Sequence, residues 1–211
     1  MLALHKQLPQ AGTPHGKTAL ERQIEATDGQ IDGGPALWAD GGGDGDCGRK
    51  SRLREGIDLR RKDAMDLIYL DYNCFQRRFD DPSQIKIQLE ALACEEIFLR
   101  AEIEEIQLAW SFMHEDETLL CPFPNRLNVA FILSTLCKMR IGPEEQIYES
   151  ALEFQRRSKM TSKDAIHLAC AHFIKADYFL SCDNRLVSQA KKLGLEMTIL
   201  NPVEYIRMED L

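Results

Sequence analysis

The stretch D-L-I-Y-L-D at residues 66–71 decides the fold, because a short apolar run that ends on an acid is typical of a buried strand. Further strands are predicted at 106–112, 177–182 and 196–200, and helical segments separate them. Strands that alternate with helices form a parallel sheet whose two faces are both covered. The predicted fold class is therefore a three-layer α/β/α sandwich with a central parallel sheet.

Five helices are predicted around these strands from apolar spacing and from residues that start or stop helices. The second, at 125–139, is apolar on nearly every side, which predicts a buried helix. Ser162 is the predicted N-cap of the fourth. The first follows Asp80–Ser83, and its apolar residues at helical spacing are Ile85, Leu89, Leu92, Leu99 and Ile103. The other three are predicted from Gly142 to about 157, at 162–175 and at 184–193.

The composition is that of a globular protein with a sizeable core. The chain has 211 residues, of which 44% are hydrophobic and 28% charged, with a mean hydropathy of −0.32. No apolar run approaches eighteen residues and no secretory signal opens the chain, so we expect a cytoplasmic protein without membrane spans. The net charge of −8 argues against a protein that simply coats nucleic acid.

The seven cysteines show neither a C-x-x-C pair nor the spacing of a zinc site. Five of them lie inside apolar stretches, which predicts reduced, buried thiols in a cytosolic protein.

The chain divides near residue 65. Residues 1–65 carry equal numbers of acidic and basic side chains and eleven of the thirteen glycines, so the net charge belongs to 66–211. The glycine-rich stretch 40–48 lacks a hydrophobic period and lacks the closing Glu of a calcium loop, which favours a linker. We therefore expect a flexible N-terminal extension over residues 1–65 and one globular domain over residues 66–211.

Acidic residues follow the predicted strands at their carboxyl ends, the edge at which parallel sheets bind ligands. Asp71 ends the first strand, and Glu115 and Glu117 follow the second. Asp164 opens the helix before the third strand, and Asp183 follows that strand. Carboxylate oxygens without histidine or cysteine partners suit hard cations such as Mg²⁺ or Mn²⁺. A single Asp after a strand is usually a cap or turn residue, but acids from four segments together predict a metal site.

Three segments resemble the signature motifs of PIN-domain (VapC-like) ribonucleases. They are L-D-Y-N-C-F at 70–75, D-A-I-H-L-A-C-A at 164–171 and D-Y-F-L-S-C-D-N-R-L at 177–186. More narrowly, residues 70–91 and the ending N-P-x-E-Y resemble a small bacterial PIN subfamily. The resemblance covers 66–211. It implies a metal-dependent ribonuclease in which one or two Mg²⁺ or Mn²⁺ ions are held by Asp71, Glu117, Asp164 and Asp183, with Asn73 and Ser181 at supporting positions.

Glu115 is an alternative to Glu117 as the second acid of this set. Glu115 and Glu117 both lie in H-E-D-E at 114–117. Glu117 fits the family register better, because Ser111 precedes it by six residues and P-F-P at 122–124 follows it.

Three arginines flank the acids in sequence and are candidate contacts to the substrate backbone: Arg77, Arg78 and Arg185. Arg78 and Pro82 stand where the subfamily commonly has Pro and Gln, which concerns substrate contacts rather than the metal site. His167 and His172 lie on a helix predicted to be buried, so we interpret them as packed side chains rather than catalytic ones.

The predicted function is hydrolysis of RNA phosphodiester bonds by the toxin of a toxin–antitoxin pair. Its expected partners are RNA, an antitoxin protein and a second copy in a homodimer. A catalytically inactive PIN fold that binds RNA or protein is the alternative, disfavoured because all four acid positions are filled. A phospho-acceptor receiver or phosphatase also uses an acidic Mg²⁺ pocket. It needs paired acids after an early strand and a basic residue after a late one, and neither is evident.

Residues 2–32 resemble the C-terminal helices of restriction–modification specificity proteins. A neighbouring reading frame over residues 38–50 can encode a continuation of that ending, whereas the chain itself becomes glycine-rich. We hypothesise that residues 1–65 derive from a frame-shifted upstream gene or from a start codon assigned too early, with Met65 as the natural start.

Overall fold

The computed structural model describes residues 65–209. The predicted extension over residues 1–65 and the second resemblance at residues 2–32 therefore lie, except for Met65, outside the described residues.

Five parallel strands form one sheet in the order β3-β2-β1-β4-β5. This confirms the predicted α/β class and its parallel sheet. Each of the four predicted strands is present, shorter by one to three residues. The strands are β1 (Asp66–Leu70), β2 (Ile106–Ser111), β3 (Cys137–Ile141), β4 (Tyr178–Leu180) and β5 (Thr198–Leu200).

Eight α-helices lie within residues 65–209, and a 3-10 turn over Arg77–Phe79 connects the first two. They are α1 (Tyr72–Gln76), α2 (Ile85–Glu102), α3 (Phe112–Leu119), α4 (Pro124–Ser134), α5 (Glu145–Arg157), α6 (Ser162–Phe173), α7 (Asn184–Lys191) and α8 (Pro202–Glu209).

Helices cover both faces of the sheet. Successive side chains of a strand point to opposite sides, so one strand contributes to the core on each face. Tyr69 of β1 belongs to a core cluster with the buried residues of α5, α6 and α7. Its neighbours Ile68 and Leu70 belong to a second cluster with α1, α2, α4 and α8. The structure is thus compatible with the predicted three-layer sandwich.

The prediction of one buried helix over 125–139 is wrong. The helix ends at Ser134, and residues 137–141 form the edge strand β3, in which Cys137 and Ile141 are buried while Lys138 and Arg140 are exposed. Alternating burial is typical of a half-buried strand. The apolar run of α4 precedes it directly, so the change from the helical to the strand pattern is hard to detect in the sequence. Helix α4 also exposes much of its apolar surface.

The apolar stripe that marks α2 in the sequence faces outward. Its five members are between 51% and 73% exposed, namely Ile85, Leu89, Leu92, Leu99 and Ile103. The opposite face carries the small or slender residues Ala93, Cys94 and Ala101 together with Ile97 and Phe98, and this face is buried. Both sides of the helix are apolar, so its packing against β2 and α8 decides which side is buried.

Two further details differ from the sequence predictions. Thr161, not Ser162, caps α6: its hydroxyl accepts a hydrogen bond from the backbone N–H of Asp164 (3.3 Å), and the Asp164 carboxylate accepts one from the N–H of Thr161 (3.3 Å). The five predicted helices do not include α1, α3 or α8. In α8, Pro202 occupies the first position, where the missing N–H costs nothing, and Tyr205 anchors the helix in the core.

No helix within residues 65–209 is both long and apolar enough to cross a lipid bilayer.

The strand order places a topological switch between β1 and β4. From β1 the chain proceeds to β2 and β3 on one side, and then to β4 and β5 on the other. Connecting segments therefore diverge at the carboxyl ends of β1 and β4, and the crevice at such a divergence is the usual ligand site of parallel sheets.

Candidate metal centre

Asp71 occupies the floor of this crevice. It directly follows β1, and its backbone N–H donates to the carbonyl oxygen of Leu180 (2.8 Å), which extends the β1–β4 ladder by one residue. Its side chain is buried, and its Oδ2 accepts hydrogen bonds from Ser181 Oγ (2.6 Å) and Asn73 Nδ2 (2.5 Å). Backbone pairing and two side-chain donors thus fix the carboxylate in one orientation.

Asn73 and Ser181 connect the ends of the two central strands. Asn73 Nδ2 also donates to Ser181 Oγ (3.1 Å), while Asn73 Oδ1 accepts from the backbone N–H of Cys182 (3.1 Å). Ser181 Oγ in turn accepts from the N–H of Asp183 (3.0 Å). The two residues named as supporting positions from the sequence therefore contact the first acid and the loop that carries the last one.

Asp183 is exposed at the rim of the crevice and caps helix α7. Its Oδ1 accepts hydrogen bonds from the N–H groups of Arg185 (2.7 Å) and Leu186 (3.3 Å). This is the standard role of an Asp at an N-cap. The hydrogen bond between its own N–H and Ser181 ties it to the Asp71 network.

Glu117 points into the crevice from α3, and Glu115 does not. Glu117 Oε2 lies 2.9 Å from His167 Nε2, and its Oε1 lies 3.5 Å from Lys163 Nζ. Glu115 is exposed. Residues two apart on a helix point in roughly opposite directions, so only one of the two acids can face the neighbouring helix α6.

Asp164 stands in the first turn of α6, half-buried, as part of the Thr161 capping box. It lies close enough to Asp71 for its negative charge to raise the pKa of that residue. The same charge helps to raise the pKa of His167. Asp164 is thus electrostatically part of the group formed by Asp71, Glu117 and His167.

The electrostatics of the crevice favour a cation. Burial raises the pKa of Asp71 to about 6, and the negative charges of Glu117 and Asp164 add to this increase, while His167 and the Ser181 hydrogen bond oppose it. The pKa of Glu117 is below its ordinary value. Burial acts to raise this pKa, but the hydrogen bond and charge of His167 together with Lys163 lower it by more. A positive charge near Asp71 would relieve this repulsion.

Glu117 and Asp164 act electrostatically on Asp71, and Asp183 is joined to it through Ser181, but the four carboxylates do not form a tight cage. Within the described part of the chain, only one set of three or more Cys, His, Asp or Glu residues has ligand atoms all within 4.8 Å of one another, and it consists of cysteines. Each acid is instead held by its own hydrogen bonds. Hard cations such as Mg²⁺ take oxygen ligands, and carboxylate oxygens are what these four residues would offer.

A buried polar chain behind Glu117 was not predicted from the sequence. Tyr69 OH lies 2.7 Å from both His167 Nδ1 and Ser111 Oγ, and Ser111 Oγ lies 3.0 Å from His114 Nδ1. His114 Nε2 donates to the carbonyl oxygen of Leu70 (2.8 Å), since a carbonyl can only accept. Burial lowers the pKa of His114 well below its ordinary value, so this ring is neutral.

The two histidines interpreted as packed side chains differ from each other. His167 is buried, as expected, and it also forms a hydrogen bond with Glu117. His172 is exposed and touches the ring of Phe154, so the prediction that it is buried is wrong. His172 and Phe173 lie on the exposed side of the last turn of α6, whereas Cys170 and Ala171 of the same turn are buried.

The arginines named from the sequence lie in different surroundings. Arg77 is engaged by the carboxylates of buried Glu90 and of Asp80 (3.0 Å), whereas Arg78 and Arg185 are exposed. Arg78 lines a separate groove between α2 and α4. Two other basic residues, Lys163 and Arg126, line a cavity of about 210 Å³ beside Glu117, together with Tyr72, Gln76 and Phe123. Lys163 directly precedes Asp164 in the sequence, and we interpret it from the sequence alone as part of a solvated helix end; Arg126 lies in another segment, and only the fold places it beside Glu117.

No family model and no curated protein matches the chain.

Proposed function

We propose that the protein is a PIN-type, Mg²⁺- or Mn²⁺-dependent endoribonuclease whose catalytic acids are Asp71, Glu117, Asp164 and Asp183. The observation that carries the proposal is the burial of Asp71 at the switch point of the sheet, beside two further acids that raise its pKa. A carboxylate kept there at an energetic cost is typical of a functional site rather than of a structural one.

The metal would be held by oxygen ligands only. Asp71 and Asp183 are the proposed direct ligands, and Glu117 and Asp164 would complete the coordination or orient bound waters. When bound, such ions neutralise the acids, polarise the scissile phosphate and lower the pKa of a water molecule.

The chain's own residues position these groups. Ser181 and Asn73 fix the orientation of Asp71 through Oδ2, and this leaves its Oδ1 for other ligands. His167 holds Glu117 from one side while Tyr69 fixes the His167 ring from the other. Lys163 and Arg126 line the cavity next to Glu117, where their positive charges can hold the anionic substrate backbone.

Protein partners belong to the same proposal. An antitoxin or a second copy of the chain would cover the exposed apolar side chains of α2 and α4, such as Leu92, Leu99 and Ile132. The six cysteines among the described residues are free thiols, which supports a reducing, cytoplasmic setting.

The test is cleavage of labelled RNA by the full-length chain with Mg²⁺, with Mn²⁺ and with EDTA. We expect cleavage only with a metal, and none by Asp71→Asn. Asp177→Asn is the matched control, because Asp177 lies at the opposite end of β4 and its Oδ2 accepts from the Leu67 N–H (3.0 Å), which an amide oxygen can also do. RNA that is bound but not cut in Mn²⁺ would instead support the inactive binding module.

A further inference from the structure

Three cysteines from three different elements meet inside the protein. Cys74 lies on α1, Cys94 on α2, and Cys182 in the connection between β4 and α7. Each is at most 4% exposed. Their sulfur atoms all lie within 4.8 Å of one another, and the Sγ atoms of Cys74 and Cys182 are 3.9 Å apart. They are 20 and 88 residues apart in sequence, so no short motif indicates the cluster.

The sulfur spacing fits coordination of a single ion. Zn²⁺ binds thiolate sulfur at about 2.3 Å, which places the sulfurs of a tetrahedral site about 3.8 Å apart. The observed separations exceed this value by no more than about an ångström. A disulfide requires two sulfurs at about 2.05 Å and would leave the third thiol unused. Three convergent thiols are therefore better matched to a metal ion than to a disulfide.

The surroundings of the cluster provide a path to it. A groove of about 450 Å³ between α2 and α4 is lined by Cys74 and Cys94, and by apolar residues that include Leu99 and Ile132. An ion can enter from this groove, and a fourth ligand can reach it from the same side. The cysteines belong to the core cluster of α1, α2, α4 and α8, on the face of the sheet opposite to the cluster of α5, α6 and α7.

We propose that Cys74, Cys94 and Cys182 form a three-thiolate site for a soft d¹⁰ metal ion of the Zn²⁺ class, with its fourth position open to the groove. Thiolates select such ions, whereas the carboxylates of the crevice select hard ones. The site is distinct from the candidate metal centre, and nothing in it depends on the nuclease proposal.

An ion at this site would tie three elements together. Cys74 follows Asn73, and Cys182 precedes Asp183, so the ion would join α2 to the segments that carry two residues of the crevice. Because the unfolded chain holds no preformed site, the free energy of metal binding adds to the stability of the fold.

The experiment uses the reduced, metal-free, full-length chain in saturating Mg²⁺, so that oxygen sites are occupied. Co²⁺ is added as a spectroscopic substitute for Zn²⁺, because cobalt bound to thiolate gives an intense sulfur-to-metal charge-transfer absorption and cobalt bound to oxygen does not. We expect one equivalent of this signal, its loss on addition of one equivalent of Zn²⁺, and a rise in Tm with Zn²⁺.

Cys94→Ala should lose the signal, because Cys94 lies on α2 away from the acids. Cys137→Ala is the matched control: Cys137 is also buried, but it contacts the Leu133 carbonyl oxygen instead of other sulfurs, and the signal should remain. Circular dichroism checks that both variants fold. If Cys94→Ala does not fold, mapping of alkylated thiols on the wild type decides, since Zn²⁺ should protect Cys74, Cys94 and Cys182 together.

Any of three results would overturn the proposal. They are the absence of the charge-transfer signal in the wild type, an equal signal in folded Cys94→Ala, and Zn²⁺ protection of a different set of thiols.

Discussion

Replacing Asp71 with Asn should stabilise the metal-free protein at neutral pH. The pKa of Asp71 rises from 3.8 to about 6, first because the group is buried and further because Glu117 and Asp164 are near. An acid with a raised pKa binds more protons in the folded state than in the unfolded one. Stability is therefore lost as the pH rises from about 4 to about 6, and the loss is complete above that range.

The magnitude follows from the size of the shift. A difference of about two pKa units, at 1.36 kcal/mol for each unit, amounts to about 3 kcal/mol above pH 7. Asn keeps an oxygen that can accept from Asn73 and Ser181, but its amide hydrogens need new partners, which reduces the gain. We expect Asp71→Asn to raise the free energy of unfolding by about 1–3 kcal/mol at pH 8, and by almost nothing at pH 4.

Urea denaturation in EDTA between pH 4 and pH 8 measures this difference. Asp183→Asn is the matched control in the same crevice: Asp183 is exposed, and Asn caps a helix as well as Asp does, so its stability change should be small at every pH. Two results would refute the assignment of a raised pKa to Asp71. One is an Asp71→Asn effect that is independent of pH, and the other is a variant less stable than the wild type at pH 8.

Three other predictions follow from the same contacts. Glu117→Gln should reduce RNA cleavage by about a hundredfold while Glu115→Gln retains most of it, because only Glu117 faces the crevice; a reversed result in the cleavage assay would make Glu115 the second acid. The pair formed by Glu117 and His167 raises the pKa of the histidine, so it stabilises the fold below about pH 6.5 and loses that effect as the pH rises through the raised pKa. His167→Gln should thus be more destabilising in denaturation at pH 6 than at pH 9, and equal losses would contradict the pairing. Leu92→Ala should cost little, whereas Ile97→Ala should cost about 2–5 kcal/mol of unfolding free energy; similar losses would mean that the exposed stripe of α2 is covered.

The positions of Asp71 and Ser181 could be predicted from the sequence because they depend on strand ends. Asp71 and Ser181 lie where two apolar runs stop, and parallel strands necessarily bring their carboxyl ends to one edge. The sequence favours Glu117 over Glu115 through its spacing from Ser111 and from P-F-P at 122–124. In α3, Glu117 contacts His167 while Glu115 is exposed. The polar chain through Tyr69, Ser111 and His114 was missed, because nothing in a sequence indicates which buried polar groups will satisfy one another.

The apolar and polar pattern by itself determined the α/β class, four of the five strands and the edge of the sheet that carries the acids, since these follow from local periodicity and from the geometry of parallel strands. Only the tertiary structure decided which face of α2 is buried, where α4 gives way to β3 at Cys137, and that Cys74, Cys94 and Cys182 meet. These outcomes depend on packing between segments far apart in the chain. A helix with apolar residues on both sides has no local preference, so the contacts of α2 with β2 and α8 decide which side is buried.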